Sequence, residues 1–479
     1  MAKKKPARTS VRPTGKPYAG PAGPAAPATT SAKAFPSPAL SAAPAAVAAP
    51  VRSDPRAPSD SLVRRLAARD LPAWGAPAFL AAFIVYAMAC FALYAAKPVG
   101  KVGAWAFPEG LGYQNLDSPG WVLTGLMLPG NAPKERAMRP LFPAVLVAAR
   151  AFGAVPTPVG LDRVPPGAQP YGAAMAVFGP AVRVFRAANV AMLGLALWMF
   201  FALARRFGMV AGPAACATAA AGGAFGFAFM VTQATPEVFS SFAVVASLVA
   251  IQIGLEIDPP EGLGVGRSAA TWAAVGAVAG VLVLGKEIFN ILIFGGLLLL
   301  FTRRWAGLAA FCVTAVAPTL AWNYYMAKVV GAFDPAAYLN EYKFVVWLVD
   351  LARTGVGPLA NGIVRNFITQ AIAFGWAFWF VPVAMAAVGL AVGRTTLPRP
   401  RLVTGAFVFA LYALLLLSNV IYPRISFMAW PAVYFFAWAG VEAVLCRMSP
   451  NARWAWRLGV LAAMVALGTR DPYAFTFYG

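Results

Sequence analysis

The chain contains no histidine, and only 17 of its 479 residues are Asp or Glu. The lack of histidine excludes Ser-His-Asp triads, HExxH zinc sites and haem ligation by His. The four cysteines lie in apolar segments, and their spacing indicates neither a disulfide framework nor a CxxC metal site. Any proton transfer must therefore use Asp, Glu, Lys, Tyr or water.

Phosphate-binding sequence patterns are missing as well. The chain has no P-loop, no usable GxGxxG turn and no DxD carboxylate pair. Nucleotide-sugar chemistry on the cytoplasmic side therefore has no visible site. A single loop carboxylate, with no histidine, provides few ligands for a divalent metal ion. The residues therefore support no such metal, and no cofactor is predicted.

The abundant feature is apolar sequence. Hydrophobic residues make up 60% of the chain and charged residues 12%. The apolar stretches are continuous and mostly near the length of a membrane-crossing helix, which indicates an all-α polytopic membrane protein. The formal net charge of +22 could suggest nucleic acid. The basic residues, however, lie in a terminal tail and at helix ends, as membrane orientation requires, so no nucleic-acid partner is predicted.

The chain divides into a tail, a membrane domain and a short end. Residues 1–70 form a basic tail rich in Ala and Pro that we expect to be disordered and cytoplasmic. Residues 71–470 are predicted to form the transmembrane domain, and 471–479 a short external tail. About eleven crossings are predicted, at 75–96, 184–204, 209–231, 237–256, 270–285, 288–302, 305–327, 366–393, 402–421, 425–446 and 455–469.

Orientation follows from Lys and Arg in the short loops, which favour the cytoplasmic side. The N-terminus is then cytoplasmic and the C-terminus external, in the inner (plasma) membrane of a bacterium. This requires that the apolar piece 140–153 does not span, and it is short for a crossing. It fits an interfacial or re-entrant helix within a long first external loop, 97–183. A second large external loop, 328–365, carries the sequence of a surface-lying amphipathic helix.

A charged pair, Lys286-Glu287, interrupts the apolar run 269–301. Thirty-odd residues exceed one crossing, and charges in hydrocarbon cost several kcal/mol each. The pair is predicted to lie where two short helices meet at one membrane face. Lys286 could neutralise a lipid-linked phosphate while Glu287 holds it in place; the alternative is an ordinary charged loop.

Two further candidates lie in the first external loop. Asp117, within YQNLDSPGW, could act as a general base toward a hydroxyl, or it could simply form an Asx turn. Arg139 precedes a proline-started helix. It could bind a phosphate with two hydrogen bonds, or extend to lipid headgroups as interfacial arginines do.

Two more candidates open predicted crossings from the external face. Glu237 follows Thr235-Pro236, a sequence that helix capping alone would explain, yet it also places a second carboxylate on the face of Asp117. Arg424, in YPRISFMAWP, has no acidic neighbour in sequence. Its partner is therefore either an external anion or the lipid headgroups.

Taken in order, these elements resemble the GT-C superfamily of integral membrane glycosyltransferases. The matching elements are the external loop with Asp117, the Arg-Pro-Leu-x-Pro segment from Arg139, Pro236-Glu237, Lys286-Glu287 and the late helix opened by Arg424. Two features depart from the family pattern: Asp117 is followed by Ser118 where the family often has a second acid, and the sequence ends about ten residues after the last predicted crossing, where some members carry a soluble external domain.

The resemblance implies transfer of a hexosyl or pentosyl group from a polyprenyl-phosphate or pyrophosphate donor to a lipid, glycan or protein acceptor at the external face. It implies Asp117 as the base, Lys286 and Arg424 on the donor phosphate, and Arg139 and Glu237 lining the substrate pocket. Expected partners are the lipid-linked donor, membrane lipids and other membrane subunits. Two alternatives stay open: a non-catalytic GT-C-like subunit of a membrane complex, and a transporter or flippase of an anionic lipid.

Overall fold

A computed structural model describes residues 75–95, 101–102, 105–106, 118–128, 139–158, 171–224, 227, 230–259, 264–285, 289–329, 345–392, 398–418 and 423–468. Asp117, Lys286 and Glu287 lie outside these residues, as do the predicted tails 1–70 and 471–479. Arg424 lies in a described helix, but its side chain is outside the description.

The described residues are almost entirely helical. Two short strands, β1 (Lys101–Val102) and β2 (Trp105–Ala106), pair antiparallel. The first helices are α1 (Gly75–Ala95), α2 (Ser118–Met127), α3 (Leu141–Ala151), α4 (Tyr171–Ala176), α5 (Phe178–Arg206), α6 (Ala211–Gly222), α7 (Glu237–Ile257), α8 (Val265–Val283) and α9 (Phe289–Phe301). The later ones are α10 (Trp305–Val329), α11 (Val346–Thr354), α12 (Val356–Ala377), α13 (Val381–Val392), α14 (Pro398–Ser418), α15 (Pro423–Ser426), a 3-10 turn (Phe427–Ala429), α16 (Trp430–Leu445) and α17 (Pro450–Gly468).

Several of these helices have the length and composition of membrane crossings. Within the described part of the chain, five are long and apolar enough to span a bilayer, or six if the bent pair α12 and α13 is one span. The predicted class, an all-α polytopic membrane protein, is thereby confirmed. The total of about eleven crossings stays a prediction, as do the loop assignments 97–183 and 328–365.

The predicted crossing 366–393 falls on two helices rather than one. α12 ends at Ala377, α13 begins at Val381, and the two are bent by 101°. Trp379 and Phe380 adopt positive φ angles, and the Phe380 ring occupies the space where a Cβ on Gly375 would lie. Pro382 sits at the start of α13, where a missing N–H costs nothing. The break thus combines a proline signal with a ring-on-glycine contact that hydropathy does not reveal.

Glycines allow the closest helix contacts. α8 carries Gly276 and Gly280 one turn apart, and ideal Cβ atoms there would lie 2.6 Å from the Phe311 carbonyl oxygen and 2.3 Å from that of Ala315, on α10. Because the hydrophobic effect does not drive helices together within lipid, such small-residue contacts supply much of the packing energy. α8 and α10 are therefore held backbone to backbone.

α7 lies at the centre of the bundle, packed between α5 and α8. Its side chains are mostly buried. Near its start, Ser241 contacts Met428, which lies beside an aromatic cluster. In that cluster the Phe227 ring packs edge-on against Phe427 and Trp430, with ring centres 5.0 and 5.1 Å apart. α7 runs parallel to α5, since Thr232 just before it contacts Arg186, while Glu256 near its end pairs with Arg206. The two ends of α7, called here the Glu237 end and the Asp258 end, are thus far apart and carry different side chains.

Candidate functional site

α7 begins at Glu237 without the side-chain cap that the sequence suggested. Pro236 occupies the N-cap position, and the Thr235 hydroxyl makes no hydrogen bond to any described residue. Glu237 is 4% exposed. Its carboxyl group lies at the positive end of the helix dipole. Since Thr235 does not cap, capping alone does not explain why these polar residues are buried here.

Arg139 is also buried, at 8% exposed. Its guanidinium carbon lies 5.6 Å from the centre of the Trp121 ring, a cation–π geometry. The reach to lipid headgroups considered from sequence does not fit this inward placement. α2, which carries Trp121, packs on α3, and the Trp121 and Phe142 rings meet edge-on at 5.8 Å. Because α2 begins at Ser118, the residue after Asp117, the packed helices α2 and α3 reach the edge of that motif.

The start of α3 is joined to the end of α8. The Leu141 amide donates to the Leu284 carbonyl oxygen at 3.4 Å. Leu284 lies two residues before Lys286. The Arg139 segment and the backbone leading into the Lys286-Glu287 pair are therefore neighbours.

Gly285 is the point at which α7 meets this junction. An ideal Cβ on Gly285 would lie 1.8 Å from an edge carbon of the Phe239 ring, so no larger residue fits without displacing the ring. Phe239 is in the first turn of α7, two residues after Glu237. On the same helix, the Ser241 hydroxyl donates weakly to the Met428 sulfur at 3.8 Å, which ties α7 to the segment after Arg424.

These contacts form one connected set at the Glu237 end. It includes Arg139, Phe239 two residues after Glu237, Gly285 directly before Lys286, and Trp121 and Met428, which lie four residues after Asp117 and Arg424 respectively. The positions of Asp117, Lys286 and Glu287, and the side chain of Arg424, lie outside the described residues, so their roles remain predictions.

Three polar residues at this end were not predicted from sequence: Arg186, Asn189 and Gln233. Arg186 and Asn189 lie one turn apart on α5, facing the segment before α7. The Arg186 Nε donates to the Thr232 carbonyl oxygen at 3.0 Å, and the Asn189 Nδ2 to that of Gln233 at 2.8 Å. In sequence they stand in a largely apolar helix, three residues apart and three residues beyond Arg183, and this spacing was the only signal that they share a face.

Each of these three side chains leaves a buried polar atom without a hydrogen-bond partner in the described structure: Arg186 Nη2, Asn189 Oδ1 and Gln233 Nε2. Burying such a group unpaired costs about 1–3 kcal/mol. Buried unpaired polar atoms are uncommon in native proteins and call for a water, an ion or a ligand. The Glu237 end therefore holds hydrogen-bonding capacity that its described neighbours do not use.

The Asp258 end shows the opposite arrangement. Asp258 Oδ2 accepts from Ser268 Oγ and Trp272 Nε1, both at 2.8 Å, and pairs with Arg304 Nη1 at 2.7 Å. Burial by itself would raise the pKa of Asp258, but these hydrogen bonds and the Arg304 charge hold that pKa below its usual value. This cluster is satisfied by its own members.

A buried ion pair joins α16 and α17. Arg457 is fully buried, and its Nε and Nη2 donate to the two Glu442 carboxylate oxygens at 2.7 and 2.6 Å. Trp438 Nε1 also donates to Glu442 at 3.2 Å. Over the ranges that the structure describes, no group of three or more Cys, Asp or Glu side chains could hold a metal ion.

No protein-family model and no curated protein matches this chain. Solved structures do resemble it. ArnT from Cupriavidus metallidurans bound to undecaprenyl phosphate gives a TM-score of 0.46 at 18% identity, over 84% of this chain and 68% of that one. Apo ArnT gives 0.48 at 18% identity, over 82% and 64%. The oligosaccharyltransferase of Archaeoglobus fulgidus, tethered to an acceptor peptide, gives 0.44 at 14% identity, over 80% and 54%.

ArnT and this oligosaccharyltransferase are GT-C membrane glycosyltransferases. The chain spans between about half and two thirds of their length. All three TM-scores are below 0.5.

Proposed function

We propose that this protein is a membrane glycosyltransferase that transfers a sugar from a polyprenyl-phosphate or pyrophosphate donor to a hydroxyl of a lipid, glycan or protein acceptor. The reaction takes place at the Glu237 end of α7, on the external face of the inner membrane. The N-terminus is then cytoplasmic and the C-terminus external.

One observation carries this proposal. At the Glu237 end, buried Arg139 belongs to one contact set with residues that lie within four positions of Asp117, Glu237, Lys286 and Arg424. Their sequence separation is large, so nothing local requires them to gather. Charged groups buried within the membrane are expensive and usually serve a substrate or ion pathway.

The reaction exchanges one bond at the anomeric carbon of the sugar. The acceptor oxygen bonds to this carbon as its proton passes to the Asp117 carboxylate, and the bond from the carbon to the phosphate oxygen breaks. The departing phosphate gains negative charge, which Lys286 and Arg424 stabilise. Arg139 and Glu237 hold the bound substrates in line, and Glu287 orients Lys286.

The direct test uses full-length protein in nanodiscs. Undecaprenyl phosphate binding and sugar transfer from undecaprenyl-phosphate-glucose and undecaprenyl-phosphate-arabinose, to acceptors in a membrane extract, are measured side by side. Asp117→Asn should lower transfer about 100-fold to 10,000-fold, the usual range for a general base, with binding of the lipid phosphate retained. Arg424→Ala should weaken undecaprenyl phosphate binding about 10-fold to 100-fold.

The alternatives give different results. A non-catalytic subunit forms no product with either donor, in wild type or variant. A flippase moves labelled lipid across proteoliposomes at a rate that Asp117→Asn leaves unchanged. Full transfer activity in Asp117→Asn would show that the catalytic assignment is wrong.

A further inference from the structure

Arg186, Asn189 and Gln233 form a small polar cluster that the proposed catalytic residues do not include. Arg186 and Asn189 lie three residues apart on α5, and each is fixed by a hydrogen bond to a backbone carbonyl oxygen, of Thr232 and Gln233 respectively. Gln233 lies four residues before Glu237. The cluster is therefore attached to the chain that leads into the Glu237 end.

Aromatic rings link the cluster to Arg139. Phe185, which precedes Arg186, stacks on Phe142 of α3 with ring centres 4.6 Å apart. Phe142 in turn meets Trp121, over which the Arg139 guanidinium lies. The cluster and Arg139 of the proposed reaction site are thus connected through one series of packed rings.

The cluster has unused donors and an unused acceptor in the interior. Asn189 is 0% and Gln233 1% exposed. Arg186 Nη2 and Gln233 Nε2 are donors, Asn189 Oδ1 is an acceptor, and none has a hydrogen-bond partner among the residues described. The Asn189 orientation is fixed, because its Nδ2 must face the Gln233 carbonyl oxygen. The Thr235 hydroxyl, also buried, has no partner in that same part of the chain.

This mixture of donors and an acceptor narrows the chemistry of a bound partner. A phosphate offers acceptors, so it would satisfy Arg186 and Gln233 but would face the Asn189 oxygen unfavourably. A polyprenyl chain would satisfy none of these atoms. A hydroxyl group both donates and accepts, and a sugar ring presents several at fixed positions.

We infer that Arg186, Asn189 and Gln233 form a subsite that binds the hydroxyl groups of a sugar ring. The inference rests on the proposed function, which supplies a sugar at this end of α7. The sugar is either the one carried by the lipid-linked donor or one belonging to a glycan acceptor.

The test compares two leucine variants that remove similar buried amides. Asn189→Leu removes the unused acceptor. Asn366→Leu is the matched control, because Asn366 is 3% exposed, donates to the Leu416 carbonyl oxygen at 2.9 Å, and has an Oδ1 that accepts from Gln370. Both variants lose one hydrogen bond to backbone, and only Asn189 lies in the inferred subsite.

Dissociation constants are measured in nanodiscs for undecaprenyl phosphate, undecaprenyl-phosphate-glucose and undecaprenyl-phosphate-arabinose. If the donor sugar occupies the subsite, Asn189→Leu should weaken a sugar-bearing lipid about 3-fold to 10-fold and leave undecaprenyl phosphate within about 2-fold. If an acceptor glycan occupies it, the lipid constants stay unchanged and KM for the glycan acceptor rises by the same factor. Asn366→Leu should change neither.

A second readout does not depend on transfer. Hydrogen exchange of residues 230–237 is followed with and without methyl glucoside and methyl arabinoside. A glycoside should protect this segment in wild type and in Asn366→Leu, and not in Asn189→Leu. If wild type binds none of the three lipids yet a glycoside protects the segment, the proposed function fails while the subsite stands.

Two results would overturn the subsite. One is equal weakening of bare and sugar-bearing lipids in Asn189→Leu. The other is no effect of Asn189→Leu on any lipid, acceptor or glycoside measurement, which would mean that the cluster holds water only.

Discussion

Two buried polar clusters, one at each end of α7, are completed in different ways. At the Asp258 end, the carboxylate is saturated by Ser268, Trp272 and Arg304. At the Glu237 end, Asn189 and Gln233 keep polar atoms with no partner among the described side chains and backbone. Both ends are equally shielded, so burial does not distinguish them.

The difference concerns what completes each cluster. A network that satisfies itself contributes to stability and needs nothing from outside. A network with spare donors and acceptors carries an energetic cost that a bound molecule can offset. We therefore expect substitutions at the Asp258 end to change stability and substitutions at the Glu237 end to change binding and transfer.

The largest expected effect is on stability at the Asp258 end. Asp258→Ala leaves the Arg304 charge, itself 10% exposed, without its partner, and should lower the free energy of unfolding by about 3–5 kcal/mol. Transfer per folded molecule should be unchanged. Unfolding is followed by SDS titration in detergent micelles.

Its control is Asp350→Ala, which breaks an exposed pair with Arg353. That change should stay within about 0.5 kcal/mol. Equal destabilisation by the two variants would mean that the Asp258 cluster is not the structural clamp described here.

The next effect is on activity at the other end. Glu237→Gln should lower transfer about 10-fold to 100-fold, since it removes a buried negative charge from the proposed substrate pocket. The control is Glu256→Gln on the same helix, where the carboxylate pairs with Arg206 at a half-exposed surface. That variant should retain transfer; similar losses in both would remove the distinction between the ends.

A smaller effect is expected at the junction of α7 and α8. Gly285→Ala forces a methyl group into the Phe239 ring and should cost about 1–3 kcal/mol of stability, with a loss of transfer. Gly459→Ala, where no atom lies within 4 Å of the added methyl, is the control and should be neutral. The double variant Gly285→Ala with Phe239→Leu should recover part of the loss, and no recovery would argue against the ring contact.

Acidification gives the smallest effect. Because the pKa of Asp258 is lower in the folded protein than in the unfolded chain, its contribution to stability is complete above the unfolded pKa of about 4 and is lost as pH falls through the folded pKa. Wild type should therefore lose stability below about pH 4 more steeply than Asp258→Asn. Parallel pH curves would show that Asp258 does not titrate as described.

Local sequence signals predicted much of the fold. The charge pair 286–287 correctly marked a break, which the structure has between α8 and α9, and Pro140 marked the start of a helix too short to span. The bend at Trp379 and Phe380 was not predicted, although Pro382 gave a signal. It involves the Phe380 ring filling the space beside Gly375, a contact that hydropathy does not reveal.

The candidate site was less accessible to sequence reasoning. Arg186 and Asn189 find their partners 46 and 44 residues away, so only the folded chain shows that they belong together. The pair of Arg457 and Glu442 was not predicted either, because the two residues lie on different helices, 15 positions apart in sequence. Polar pairings across helices depend on rotation and depth, which hydropathy does not contain.

The central claim is that Asp117 and Lys286 lie at the Glu237 end, on one side of the membrane. Spin-label distances in nanodiscs test it directly, with one pair at residues 117 and 286 and a second at 117 and 258. The account predicts a 117–286 distance well below the roughly 30 Å thickness of the bilayer core, and a 117–258 distance close to it or longer. A long 117–286 distance with a short 117–258 distance would contradict it.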